Sequence, residues 1–245
     1  MLHIFRNMRS RTIVMLVLLI ILGVFALPPA AAAAPTDAAG WYTLGRTLTD
    51  EGNYTEALQA YDQAITLSPT YAEAWDGRAD VLNRANQYTT NPLATLNLAL
   101  DASNRSLEFN SSSASAWINH GQILYNIGFY YQDQLNDKTT AAMYYNDQLA
   151  SFEKAISVEP DNADAWFNKA YALCGMGRYS EGIVAFEKVE ELDPAYPNLQ
   201  ANIDIAEKLA AMETPFYIKY AGEIVLAAIA IIGAVLWYIA VRKKY

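Results

Sequence analysis

Few residues of this 245-residue chain could make or break bonds. There are two histidines, His3 and His120, and one cysteine, Cys174. His3 belongs to an N-terminal targeting segment. His120 stands among apolar residues at helical spacing, which suits a core side chain better than a general base. Cys174 occupies a helical position where a small apolar residue fits, so an inert buried thiol is expected, and a single cysteine excludes an intrachain disulfide. No His/Cys cluster offers transition-metal ligands, and there is no phosphate loop or nucleophile elbow. Gly175-Met176-Gly177 reads as a turn rather than a nucleotide fingerprint, and the carboxylates are scattered along exposed helix faces. The sequence therefore predicts no catalytic residues, no cofactor, no metal and no enzyme. What remains is the chemistry of recognition, carried by amides, carboxylates and aromatic rings that recur at fixed spacing.

The elements that position them are helices. In Trp41–Pro69, Trp41, Leu44, Gly45 and Leu48 share one helical face, Gly52-Asn53 breaks the period, and Ala57, Tyr61, Ala64 and Ile65 resume it before Pro69 ends the second helix. Small residues at the crossing let two helices approach closely. Such a hairpin cannot bury its own apolar face, and copies do follow. Trp75, Trp117 and Trp166 each close an A-x-A-W frame, and Tyr54, Tyr88, Tyr130 and Tyr179 follow the four tryptophans at equal distance. The second copy is the weakest, with Ser111 where the others have a closing proline.

This pattern resembles the tetratricopeptide repeat, with its Trp, Leu-Gly, spaced Ala, aromatic and closing Pro. The resemblance covers about two-thirds of the chain, as repeats 38–71, 72–113, 114–162 and 163–196. It implies an all-α, right-handed superhelical solenoid of four helix hairpins. An amphipathic helix within 197–213, with Leu199, Ile203, Ala206 and Leu209 on one side, is expected to cap it. Two repeats carry inserts at the hairpin tip, about 89–96 and about 131–147. The first reads as about two extra turns of helix begun by Asn91-Pro92, and the second as two long helices meeting at Asn136-Asp137. Three lengthened neighbours would build a protruding aromatic lobe of Tyr88, Phe129, Tyr130, Tyr131, Tyr144 and Tyr145.

The resemblance further implies that the first helix of each hairpin lines a concave groove for peptides or protein partners. The positions that would face it are Tyr42 and Arg46, then Asp76, Asp80 and Asn83, then Asn119, Gln122 and Tyr125, then Phe167, Asn168 and Tyr171. Asn119 and Asn168 match asparagines that in this family bond a bound peptide's backbone. The Lys/Arg set with which chaperone-binding members grip a terminal carboxylate is missing, and Asp76 and Asp80 would repel such a ligand. A neutral or basic extended segment with aromatic anchors fits these residues.

The ends of the chain direct it to a membrane. Residues 1–34 have a basic flank (Arg6, Arg9, Arg11), an apolar run of 15 from Ile13 to Leu27, Pro28-Pro29 and then small residues, the layout of a signal peptide; an uncleaved anchor is the alternative. A linker, 35–37, leads into the repeats. Residues 220–241 suffice for a transmembrane helix, flanked by Tyr217, Tyr220, Trp237 and Tyr238, and Arg242-Lys243-Lys244 in the tail, 242–245, should stay cytoplasmic. The repeats are then extracytoplasmic on a single-pass protein of the cell membrane, in a setting that suits a prokaryotic, archaeal or bacterial, cell. Between Pro35 and Pro215 there are 25 acidic and 10 basic residues, a net of −15, which disfavours nucleic acid as a partner. Glycosylation sequons begin at Asn53, Asn104 and Asn110. The expected function is a non-enzymatic protein–protein interaction scaffold, with an assembly or export factor for secreted, surface-layer or pilus-like subunits, or an auxiliary subunit of a membrane enzyme complex, as alternatives.

Overall fold

The computed structural model describes residues 34–213, 222–223 and 225–232. The predicted signal peptide up to residue 33 lies outside them, as does the predicted span apart from 222–223 and 225–232. Those two short stretches are helical and exposed, and among the described residues no helix is long and apolar enough to cross a membrane. Residues 1–36 form a separate unit, of which 34–36 are described and are not helical.

From Asp37 onward the chain forms helix after helix. They are α1 (Ala38–Asp50), α2 (Tyr54–Leu67), α3 (Ala72–Ala85), α4 (Pro92–Phe109), α5 (Ala114–Asp133), α6 (Lys138–Val158), α7 (Ala163–Gly175), α8 (Tyr179–Leu192) and α9 (Leu199–Glu213), with one 3-10 turn at Asn86–Tyr88. Consecutive pairs pack as hairpins, each first helix also touches the first helix of the next hairpin, and α9 packs on α8. Local chemistry sets the boundaries. Asp37, Asn91, Ser113, Asp137 and Asn162 each accept a hydrogen bond from the backbone N–H three residues on, satisfying a donor that the first helical turn leaves free. Within hairpins the chain reverses at Gly52 (φ 78°), Asn136 (φ 51°) and Gly177 (φ 77°), residue types that tolerate left-handed backbone.

The recurring tryptophan has a definite task. The indole N–H donates to the backbone carbonyl six residues upstream: Trp75 to Pro69 at 2.8 Å, Trp117 to Ser111 at 2.9 Å and Trp166 to Pro160 at 2.8 Å. Each bond staples the loop between hairpins to the helix that follows. Because the acceptor is a carbonyl, serine serves as well as proline, and the second repeat keeps the geometry without its closing Pro. The alanines of the same frame, Ala74, Ala116 and Ala165, are at most 1% exposed and sit where helices press together.

Inside the hairpins a buried aromatic ring lies against glycine. Tyr61 of α2 is 2% exposed and rests on both Gly45 of α1 and Gly77 of α3; Phe152 of α6 rests on Gly121 of α5. A Cβ built on Gly45 would come within 2.8 Å of the Tyr61 ring, and one on Gly77 would come closer still. Gly77→Ala is therefore expected to force this ring out of its site. A loss of about 1–3 kcal/mol in urea denaturation is expected, despite the better helix propensity of alanine.

The helices around the two inserts are long: α4 has 18 residues, α5 has 20 and α6 has 21, against 13 or 14 in α1, α2, α3, α7 and α8. The expectation of two extra helical turns in the second repeat is too large. Residues 89–91 are not helical and α4 exceeds α2 by about one turn, because Pro92 keeps Asn91 out of helical backbone (φ −136°, ψ 78°) and stops any helix running into it. In α9, Leu199, Ile203 and Ala206 are buried against Phe186 and Val189 of α8.

Candidate functional site

The first helices of all four hairpins contribute to one open cavity of about 640 Å³ on the inner face of the array. Eight of the residues expected to face a groove line it: Tyr42 and Arg46 from α1, Asp76 and Asp80 from α3, Asn119 and Gln122 from α5, and Phe167 and Asn168 from α7. The other three do not. Asn83 is 8% exposed and accepts a hydrogen bond from Asn126 (2.7 Å), which ties α3 to α5. Tyr125 and Tyr171 stand one helical turn beyond Gln122 and Asn168 and line a second cavity.

The floor of the first cavity is built on Asn119. Its Nδ2 donates to Asp76 Oδ1 (2.8 Å) and to the Asp76 backbone carbonyl (3.2 Å). Two acceptors on that side fix the orientation of the amide, since a reversed amide would set oxygen against oxygen. Asn119 Oδ1 is thereby left buried without a hydrogen-bond partner. An orphaned buried acceptor costs on the order of 1–3 kcal/mol until a donor reaches it. Asp76 is likewise in no ion pair among the described residues. Burial above all, with repulsion from Asp80 and Glu73, lifts its carboxyl to about 6, against the opposing pull of the Asn119 amide.

Other lining groups are already engaged. Asp80 accepts two bonds from Arg84 Nε at 2.9 Å, and Asp164 accepts from the Tyr196 hydroxyl at 2.6 Å. That bond, after burial, pushes the Tyr196 hydroxyl well above the usual range. Gln122 and Asn168 are in contact at 3.5 Å. Aromatic walls stand on either side. Tyr42 packs against Tyr61 and Tyr71 and carries Arg46 over its face (5.9 Å), while Phe167 stacks with Tyr196 at 4.7 Å. Sequence reasoning missed Tyr61 and Tyr196 as lining residues. For Tyr61 the signal was present, because Gly77 stands two residues after Trp75, where Asn119 and Asn168 stand after their tryptophans, and leaves room for a ring to reach the inner face. Tyr196 lies in the loop after α8, two residues past Pro194, as Tyr71 lies two residues past Pro69.

The expected aromatic lobe is three separate clusters. Tyr88, 73% exposed, pairs with Tyr54 of the first repeat. Tyr131 and Tyr144 stack at 5.6 Å and pack on the core of α3, α4 and α5. Phe129 and Tyr145 each meet Tyr125, at 6.2 and 6.0 Å, and with Tyr171 and Met176 they line a cavity of about 230 Å³. Tyr130 is half-buried and makes none of these ring contacts. The physical reason is helical phase. Successive residues turn by about 100°, so Phe129, Tyr130 and Tyr131 must point in three directions.

His120 donates to or accepts from Ser103 Oγ at 3.0 Å and meets the Trp117 ring edge-on. Ser103 is fully buried, so this pair fixes α5 on α4. Burial holds the imidazole down to about 4, and pushes the Cys174 thiol up, away from reactivity. Among the sequon asparagines, Asn53 is exposed in the first hairpin turn with its side chain donating to Glu51, Asn104 is exposed within α4, and Asn110 follows the end of α4 and accepts from the Ser112 N–H.

Comparison with known proteins agrees with this architecture. Residues 35–84 match a family model described as TPR repeat, and residues 151–183 match one described as Tetratricopeptide repeat. The chain is similar to the Hsp70-Hsp90 organizing protein of Triticum aestivum, 36% identical over 67 residues, which is 27% of this chain and 12% of that protein's length. Among solved structures it is similar to a thermophilic TPR protein of Thermus thermophilus, with TM-score 0.57 and 19% identity over 70% of this chain and 82% of the other. It is also similar to YrrB, described as a TPR protein with an unusual peptide-binding site, with TM-score 0.50 and 18% identity over 73% of this chain and 80% of the other. These structural likenesses show the fold: an all-helical tetratricopeptide solenoid.

Proposed function

We propose that this chain is a non-enzymatic scaffold that holds an extended segment of a partner protein against its inner face, at the outer surface of a cell membrane. The observation that carries the reading is the cavity itself. Residues of four hairpins line it, and its floor has a buried acceptor, Asn119 Oδ1, that the chain leaves unpartnered. Backbone N–H groups of an extended peptide are donors of the right kind. The apolar cavity around Tyr125 and Tyr171 continues the same helices and offers room for an apolar side chain of that segment. Attachment to the membrane rests on the sequence: the signal-like 1–34, the apolar 220–241 and the basic Arg242-Lys243-Lys244.

One experiment tests recognition and location together. Intact cells carrying the tagged full-length chain are treated with a membrane-impermeant crosslinker, and captured proteins are read by mass spectrometry. One dominant partner is expected with the native chain, reduced at least tenfold when Asn119 and Tyr125 are replaced together by Asn119→Leu and Tyr125→Ala. Capture that persists with both changes removes the inner face from the mechanism. Capture only after the cells are permeabilised removes the outward location.

A further inference from the structure

We propose that the inner cavity is a receptor for an arginine side chain of the bound segment, taken up by the Asp76 carboxylate and the Asn119 amide oxygen. This rests on the reading that the inner face binds a polypeptide. It goes further in naming the residue that the site selects.

The groups around the floor that have no bond to spare them are all acceptors. Asn119 is 8% exposed, its Nδ2 is spent on Asp76, and its Oδ1 has no donor. Asp76, beside it, has one oxygen on the Asn119 amide and no cation near enough to pair. Glu73 on the same helix and Asp50 on α1 line the cavity and are in no ion pair among the described residues. The cationic lining residue, Arg46, lies over the Tyr42 ring rather than on a carboxylate. That Asp76 holds its proton up to about 6 agrees with a carboxyl that has been taken out of water and left without its counter-charge.

Such a floor discriminates by chemistry. A carboxylate ligand meets like charge. An apolar side chain would cover the Asp76 carboxylate and leave Asn119 Oδ1 still without a donor, a costly outcome for polar groups taken out of water. A metal ion is a poor fit, because among the described residues no group of three or more His, Cys, Asp or Glu could hold one. An ammonium would supply charge, but as a compact point. A planar guanidinium offers several N–H donors in a fork, enough to serve Asp76 and Asn119 Oδ1 at once, and its plane can lie against the Tyr42 or Phe167 ring.

The test is selection of a random peptide display library on the immobilised full-length chain in mild detergent, repeated on Asp76→Asn and on Asn119→Leu. Peptides lost on Asn119→Leu are inner-face binders. Arginine enriched at one position among them is expected, and a synthetic binder should weaken at least tenfold on Asp76→Asn and on replacement of its own arginine by glutamine. Asp76→Asn keeps an acceptor for the Asn119 Nδ2, so its loss of binding cannot be assigned to a broken floor; a melting temperature at or above that of the native chain checks this. Inner-face binders without arginine enrichment, or with lysine serving equally, overturn the proposal and leave the inner face as a peptide site. Selected peptides that bind Asn119→Leu as well as the native chain overturn both.

Discussion

Phe152→Ala is expected to cost about 3–5 kcal/mol and to loosen the last two hairpins ahead of the first two. Phe152 is 1% exposed, among the largest fully buried side chains. It belongs to α6, lies on Gly121 of α5, and joins the cluster of Leu149, Ala170, Leu173, Phe186 and Val189 that extends through α7 and α8 to α9. Its removal therefore opens a void where the third hairpin meets the fourth. In an array whose stability sums repeat terms and neighbour interfaces, that damage stays local. The first two hairpins keep buried residues of their own, Tyr61 and Val81 in one cluster and Leu96 and Ala99 in another, which Ile123 of α5 joins. Hydrogen exchange should show amides of α7, α8 and α9 gaining most of the added opening while α2 and α4 change little. Val184→Ala, at a site 64% exposed on α8, should stay within about 0.5 kcal/mol of the native chain. Equal acceleration through all helices would show a single cooperative unit, and a loss under about 1 kcal/mol would show that the site collapses around the smaller side chain.

The part of the fold legible in the sequence was the part that repeats. The A-x-A-W frame announced the helix starts because both of its features carry physical work: alanines admit the neighbouring helix, and the indole bonds the carbonyl six residues back. Serine at position 111 weakened the written pattern but not the structure, since Ser111 lends its backbone oxygen. The inserts were harder. Their apolar residues continue a helical stripe, yet Asn91-Pro92 cuts the second repeat at its tip, so fewer residues extend α4 than the stripe implied. Of the eleven positions assigned to a groove, eight line the first cavity. Counting from each tryptophan gives the face of a residue but not its depth, so it could not tell that Asn83 is consumed by Asn126 or that Tyr125 and Tyr171 open into a second cavity. The lobe failed for a related reason. A cluster of aromatic letters is contiguous in sequence, whereas a helix distributes consecutive residues around its axis.

The second large effect concerns pH. Asp76→Asn should be more stable than the native chain at pH 7, by up to about 3 kcal/mol, and should lose this advantage by pH 4. The Asp76 carboxyl titrates near 6 in the folded chain against 3.8 ordinarily. It binds its proton more tightly when folded, so its stabilising contribution is present below about 4 and is lost as pH rises through about 6. His120 runs the other way. Its imidazole titrates near 4 in the folded chain against 6.5 ordinarily. It stays neutral when folded while the unfolded chain takes up a proton, so its contribution is full above 6.5 and is lost as pH falls toward 4. At about 1.4 kcal/mol per pH unit the two terms are each about 3 kcal/mol, and they oppose each other in the same window. In the native chain they nearly cancel. Asp76→Asn removes one, and its urea midpoint should fall steeply relative to native between pH 6.5 and 4. His120→Gln, which keeps a polar partner for the buried Ser103, removes the other, and its midpoint should rise relative to native over the same interval. Parallel profiles for all three proteins would refute the paired burial of these groups. Opposite slopes would also show that the carboxylate which Asp76 keeps uncompensated at neutral pH weakens the fold, a cost that the proposed role of Asp76 in binding would explain.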